Sequence, residues 1–116
     1  MKHNVEKYLE DIRLSILDIE NYTTNVTTVE EIDNNHMLFD ALCRRFAIIG
    51  EAVFQIDKID QEIIITDKHK IKSLRHIIVH DYDLVRAADL FTIIKRALPL
   101  LKKEVIELLK NFDEEI

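Results

Sequence analysis

The chain has 116 residues, of which 47% are hydrophobic and 33% charged, with a formal charge of −6. This balance excludes a disordered polyelectrolyte, and the length fits one domain over residues 1–116 rather than two. A net acidic surface repels polyanions, so any nucleic-acid contact has to be local and built on a few cations; a basic protein partner suits the rest of the surface.

One glycine and one proline leave little turn chemistry for hairpins, and the abundance of Leu, Ile, Lys and Glu favours an all-α fold. Over about residues 4–22, Val5, Leu9, Ile12, Ile16 and Ile19 alternate by four and three, an apolar seam on one helical face. Asn21-Tyr22-Thr23-Thr24-Asn25 breaks it with short polar side chains that compete for backbone hydrogen bonds. Thr28 and Glu31 have capping-box spacing and start a second helix that runs to about Ile56. Phe39, Leu42, Phe46, Ile49 and Val53 carry its stripe; Asp33-Asn34-Asn35 is a weak point within it. Gly50 costs about 1 kcal/mol against alanine in mid-helix; it either admits a neighbouring backbone or is a simply tolerated glycine.

Residues 57–67 read as a short helix or an irregular connector, since Ile63-Ile64-Ile65-Thr66 has no strand to pair with. A third helix covers about 68–81. A fourth runs from about 84 to 112, with Asp83 as its N-cap and a kink at Pro99. Four main helices, with a possible short extra one, give an up-and-down bundle.

Cys43 is the only cysteine, so no internal disulfide forms and nothing indicates an oxidising compartment. Residues 1–7 lack the apolar core of a signal peptide, and no run of about 18 apolar residues exists to span a membrane. A cytoplasmic location without membrane attachment is expected.

The densest chemistry lies in Ser73-Leu74-Arg75-His76-Ile77-Ile78-Val79-His80-Asp81-Tyr82. Arg75, His80 and Tyr82 form an Arg-x4-His-x-Tyr pattern. A guanidinium clamps phosphate through paired hydrogen bonds, an imidazole moves protons near neutral pH, and a phenol offers a nucleophile or a modifiable hydroxyl. At about 100° per residue, Ile71, Leu74, Ile77 and Ile78 make a core face, while Arg75, Val79 and the stacked pair His76 and His80 lie on the opposite arc. Arg75 and His80 are about 140° apart on that wheel, so the helix alone does not make them touch. A frayed helix end or a second subunit has to complete a common cleft.

This segment resembles the Arg-x4-6-His signature of the HEPN superfamily of helical bundles, and its tyrosine is similar to that of the HepT-like subfamily. Arg44-Arg45-Phe46-Ala47-Ile48-Ile49-Gly50-Glu51-Ala52 is likewise similar to the subfamily's second helix. Helix order and length match over nearly the whole chain. The departure is Ile71-Lys72-Ser73, where a tryptophan-containing approach to the motif is expected.

The resemblance implies the toxin of a type VII-like toxin–antitoxin pair: a homodimeric, metal-independent endoribonuclease with its cleft at the dimer interface and no cofactor. The implied antitoxin is a minimal nucleotidyltransferase that transfers AMP to Tyr82. The residues fit such chemistry. Cleavage without a metal needs a base for the 2′-hydroxyl, an acid for the leaving oxygen and a cation for charge growing on phosphorus. His80 suits the acid–base role, Arg75 the phosphate, and His76 positioning or a second proton transfer; Glu51 orients the site or forms a buried ion pair. AMP on Tyr82 would block substrate by bulk and repulsion.

Plainer readings stand beside these. Arg75 fits a surface ion pair with Asp81 or another acid, and His76 and His80 fit solvated residues or two metal ligands lacking a third. Tyr82 fits a partly buried ring with a wet hydroxyl, Arg44-Arg45 a solvated helix face, and Cys43 a small core residue. A non-catalytic nucleotide-binding or substrate-presenting module that partners the nucleotidyltransferase is the main alternative function; a plain helical interaction protein is the third.

Overall fold

The computed structural model describes the backbone of residues 2–114 and the side chains of residues 4–112. Among these the chain forms α1 (Lys2–Tyr22), α2 (Val29–Asp33), α3 (His36–Ile59), α4 (Lys68–His80), a 3-10 turn (Tyr82–Leu84), α5 (Ala87–Arg96) and α6 (Leu98–Glu114), and no strand. The all-α class holds.

The α1 seam is the centre of the core: Val5, Leu9, Ile12, Ile16 and Ile19 are all buried, against Leu42, Phe46, Ile49 and Val53 of α3 and Leu101 and Val105 of α6. Side-chain pairs across the helices fix the directions. Glu20 near the end of α1 meets Lys102 near the start of α6 at 3.0 Å. Asp57 near the end of α3 meets Lys68 at the start of α4 at 2.7 Å, and Asp40 near the start of α3 meets Tyr82 just past the end of α4. The pairs therefore run antiparallel, an up-and-down bundle of α1, α3, α4 and α6 with α2 packed on α5 along one side.

Two expected long helices are each divided. Thr28 caps a helix as expected, with the Glu31 N–H donating to its hydroxyl at 3.4 Å, while the Glu31 carboxylate reaches back to the Thr27 N–H at 3.3 Å, one residue before the cap. The helix it starts ends after five residues. Asn34 caps its end through its backbone N–H, and the Asn35 side chain accepts from the Leu38 N–H at 3.1 Å to begin α3, which turns the weak point into a break.

The expected helix over 84–112 is α5 and α6, separated at Ala97. Pro99 falls in the first turn of α6, where a missing N–H has no helical acceptor to lose, so it sits at a start rather than a kink. Asp83 is not the N-cap: it lies in the 3-10 turn, and the extended residue before α5 is Arg86, at φ −112° and ψ 143°. The connector after α3 is irregular, and Thr66 ties it to α6 by donating its hydroxyl to Glu104 at 2.6 Å and its N–H at 3.1 Å. No described helix is long and apolar enough to cross a membrane.

Candidate active site

The first half of α4 is pressed onto α3. A Cβ placed on Gly50 would lie 2.2 Å from the Cβ of Arg75 and 3.2 Å from the carbonyl oxygen of Ile71. Only a glycine lets the two helices come this close, so the close-approach reading of Gly50 is met at Arg75 itself. Two turns along α3, Asp57 accepts from Lys68 at 2.7 Å and Lys72 at 3.1 Å, and hydrogen bonding from these ammonium groups, Lys68 first, holds its carboxyl below the usual range. Ile71 and Leu74 are buried beneath.

Arg75 thereby projects into an open cleft of about 400 Å³ between α1, α3 and α4, whose walls include Lys7, Arg44, Glu51 and Val79. Its partner is Glu51, with 2.8 Å between guanidinium nitrogen and Oε2, not Asp81. The N–H vectors miss that oxygen, so the contact is ionic rather than a hydrogen bond, and the buried Oε2 has no hydrogen-bond partner among the described residues. Gln55 donates to Oε1 at 3.0 Å and orients the carboxylate. The pair is half-exposed rather than buried. Arg75 donors consequently remain available to a phosphate entering the cleft. Arg45 is engaged by Asp18 at 3.2 Å, whereas Arg44 is exposed with no ion-pair partner among the described residues.

The second half of α4 faces outward. His76 and His80 lie one turn apart with ring centroids 4.6 Å apart, both exposed. Ile77, expected on the core face, is instead 36% exposed, because α3 lies against the Ile71–Leu74–Ile78 edge of the helix. Val79 is 51% exposed at the rim of the Arg75 cleft. The described clefts that hold Arg75 and Tyr82 include neither His76 nor His80 among their walls. Nor do three His, Cys, Asp or Glu side chains gather as a metal-ligand group among the described residues.

Tyr82 does not continue the helix: Asp81 caps α4 and Tyr82 opens the 3-10 turn. Its ring meets Phe39 edge-on at 6.0 Å, and its hydroxyl donates to Asp40 Oδ1 at 2.5 Å. That hydrogen bond to a carboxylate, followed by partial burial, raises the phenol well above its ordinary pKa. Cys43 beside it is a buried core thiol, pushed up to about 11 mainly by desolvation and then by the Asp40 charge.

Asp40 is the residue that sequence reasoning missed. It is 42 positions from Tyr82, and only the antiparallel register of α3 and α4 joins them. The sole signal was an acidic residue beside Phe39 on an apolar helix.

A helical bundle with a buried Gly-admitted arginine contact and a histidine-bearing, tyrosine-terminated helix end is the class of protein defined so far. Residues 12–108 match the family model described as "Ribonuclease HepT-like", and the chain belongs to that family. Three proteins of Methanocaldococcus jannaschii are similar to it. "Putative RNase MJ1380" is 34% identical over 90% of this chain and 95% of its own length. "Putative RNase MJ0125" is 29% identical over 97% of each. "Gamma-glutamylcyclotransferase and putative RNase MJ0434" is 30% identical over 98% of this chain, which spans only 51% of that longer protein. No solved structure gives a significant match.

Proposed function

We propose that the chain is a metal-independent endoribonuclease acting as a homodimer, the toxin of a type VII-like pair whose nucleotidyltransferase antitoxin adenylylates Tyr82. The observation that carries this reading is Arg75 held by Gly50 and Glu51 at the edge of an open cleft, in a chain of the HepT-like ribonuclease family. Arg75 receives the scissile phosphate and stabilises charge growing on it. His80 takes the 2′-hydroxyl proton and returns one to the leaving oxygen, so that the 2′-oxygen bonds to phosphorus as the 5′-oxygen departs. His76, stacked on it, positions the ring or serves the second transfer. Glu51 orients the guanidinium.

Arg75 and His80 sit on different faces of one chain, so a second copy has to supply the missing imidazole. Exposed Val79 between them gives that copy an apolar anchor, and a twofold axis sets two arginines and two histidine pairs along one groove. That gathers positive charge on an otherwise acidic protein. Location in the cytoplasm follows from this reading, since its substrate is intracellular RNA.

Pure protein incubated with RNA and EDTA tests the proposal. Cleavage persists in the chelator and falls about 10²–10⁴-fold in His80→Ala. Activity that survives the mutation, or needs a divalent ion, contradicts it. The separation of imidazole and guanidinium within one chain favours a second reading, a non-catalytic nucleotide-binding partner of the nucleotidyltransferase. Nucleotide binding without cleavage of any RNA selects that one.

A further inference from the structure

Tyr82 is gripped by a carboxylate that the cleavage chemistry does not use. Asp40 sits on α3, 42 residues from Tyr82 and on a separate element, so helical neighbourhood does not explain their contact. At 2.5 Å it has the length of a hydroxyl donating to an ionised carboxylate. Asp40 has no ion-pair partner among the described residues, so its charge is committed to the phenol.

Beyond this pair opens a second cleft of about 570 Å³, distinct from the one holding Arg75. Phe39, Asp40, Tyr82 and Arg86 form part of its wall, with His36 and Asp33 also lining it. Its size suits a mononucleotide. Phe39 and Tyr82 offer aromatic surface for a base, and Arg86 is exposed with no ion-pair partner among the described residues.

We propose that Asp40 is the proton acceptor for nucleotidyl transfer to Tyr82, and that the cleft beyond it, with Arg86 at its wall, receives the transferred nucleotide. This rests on the reading in which Tyr82 is the modified residue. The phenolic oxygen attacks the α-phosphorus of a nucleoside triphosphate. The O–P bond forms, the bond from that phosphorus to the bridging oxygen breaks, and pyrophosphate leaves with the electron pair. The phenolic proton passes to Asp40 and then to solvent, and nothing is oxidised or reduced.

Chemistry makes an acceptor necessary, and Asp40 is the basic group already on the hydroxyl. A phenol whose ionisation is suppressed by a neighbouring carboxylate supplies almost no phenolate at neutral pH, so its proton has to leave as the new bond forms. Cys43, the other group beside the hydroxyl, is a protonated thiol at that pH and accepts nothing. Protonated Asp40 is also neutral when the phosphodiester anion arrives next to it, which removes a like-charge clash. Arg86 then faces the anion.

The test combines the purified chain, its nucleotidyltransferase and magnesium-ATP labelled at the α-phosphate, with the modified residue located by mass spectrometry. Asp40→Asn keeps a side chain that can pair with the phenol but removes its basicity. The labelling kcat then falls about 10²–10⁴-fold while the KM for this chain stays at the wild-type value, and Asp40→Glu recovers part of the rate. Arg86→Ala lowers the rate more modestly. Circular dichroism of the exposed-site variants confirms an unchanged fold. Wild-type kcat in Asp40→Asn, or a loss expressed only in KM, overturns the role of Asp40 while leaving Tyr82 as the acceptor. A wild-type chain labelled at another residue, or not at all, overturns the Tyr82 reading and this proposal with it.

Discussion

The two halves of α4 differ in what holds them. From Lys68 to Arg75 the helix is fastened to α3 by two ammonium contacts on Asp57, by the close approach at Gly50 and by buried Ile71 and Leu74. From His76 to His80 it is attached chiefly by partly buried Ile78, and it presents two imidazoles and Val79 outward. The fastened half fixes the position of one guanidinium within a cleft. The outward half leaves its two imidazoles and Val79 exposed. A helix of 13 residues thus divides into a packed and an exposed half.

Gly50→Ala attacks the fastened half and has the largest expected effect on stability. Helix propensity favours alanine by about 1 kcal/mol, but overpacking of a close helix contact costs about 1–3 kcal/mol. The atoms it meets are the Arg75 Cβ and the Ile71 carbonyl, not the end of a flexible side chain, so the clash wins and the melting temperature drops by several degrees. An unchanged or raised melting temperature would show that α4 shifts freely, and the two halves would no longer differ.

Val79→Asp probes the outward half. The monomer fold keeps its stability within about 0.5 kcal/mol, as is usual for an exposed site. Sedimentation of the proposed homodimer should move toward monomer, because an unpaired carboxylate would be carried into an apolar contact. A dimer that persists removes Val79 from the proposed interface.

Asp57→Asn gives the smallest effect and a defined pH signature. Its carboxyl lies below the usual range when folded, so its contribution to stability is present above the unfolded value of about 4 and lost as pH falls through the folded one. The wild type should melt higher than the variant at pH 7, and the gap should close on acidification. A gap that stays constant with pH would mean that the two lysines do not stabilise the ionised form.

Much of this was legible in the residues, for reasons that differ from place to place. The α1 seam is strictly periodic, and every one of its five members is buried. Gly50 was half legible: a lone mid-helix glycine suggests a close approach or mere tolerance, and only the packing of α4 on α3 decides for the first. The breaks at Asn34-Asn35 and Ala97 were harder. Asn competes with the helix only when its side chain finds a free N–H, as Asn35 does at Leu38, and Pro99 fits a helix start as well as a kink. Ile77 misled because an apolar residue on a wheel does not reveal which edge of the helix its neighbour covers. Asp40 escaped because its partner is remote in sequence, and a single carboxylate has no periodicity to announce it.

The most direct trial of a guanidinium and an imidazole meeting across two copies is complementation between dead protomers. Arg75→Ala and His80→Ala chains, each inactive alone on RNA in EDTA, are mixed under conditions that exchange subunits. Random pairing puts half of the protein into mixed dimers, each with one of its two Arg75–His80 pairs intact, so about a quarter of wild-type cleavage returns. A mixture no more active than its components would mean that the two groups do not act in trans, and the composite site would be lost.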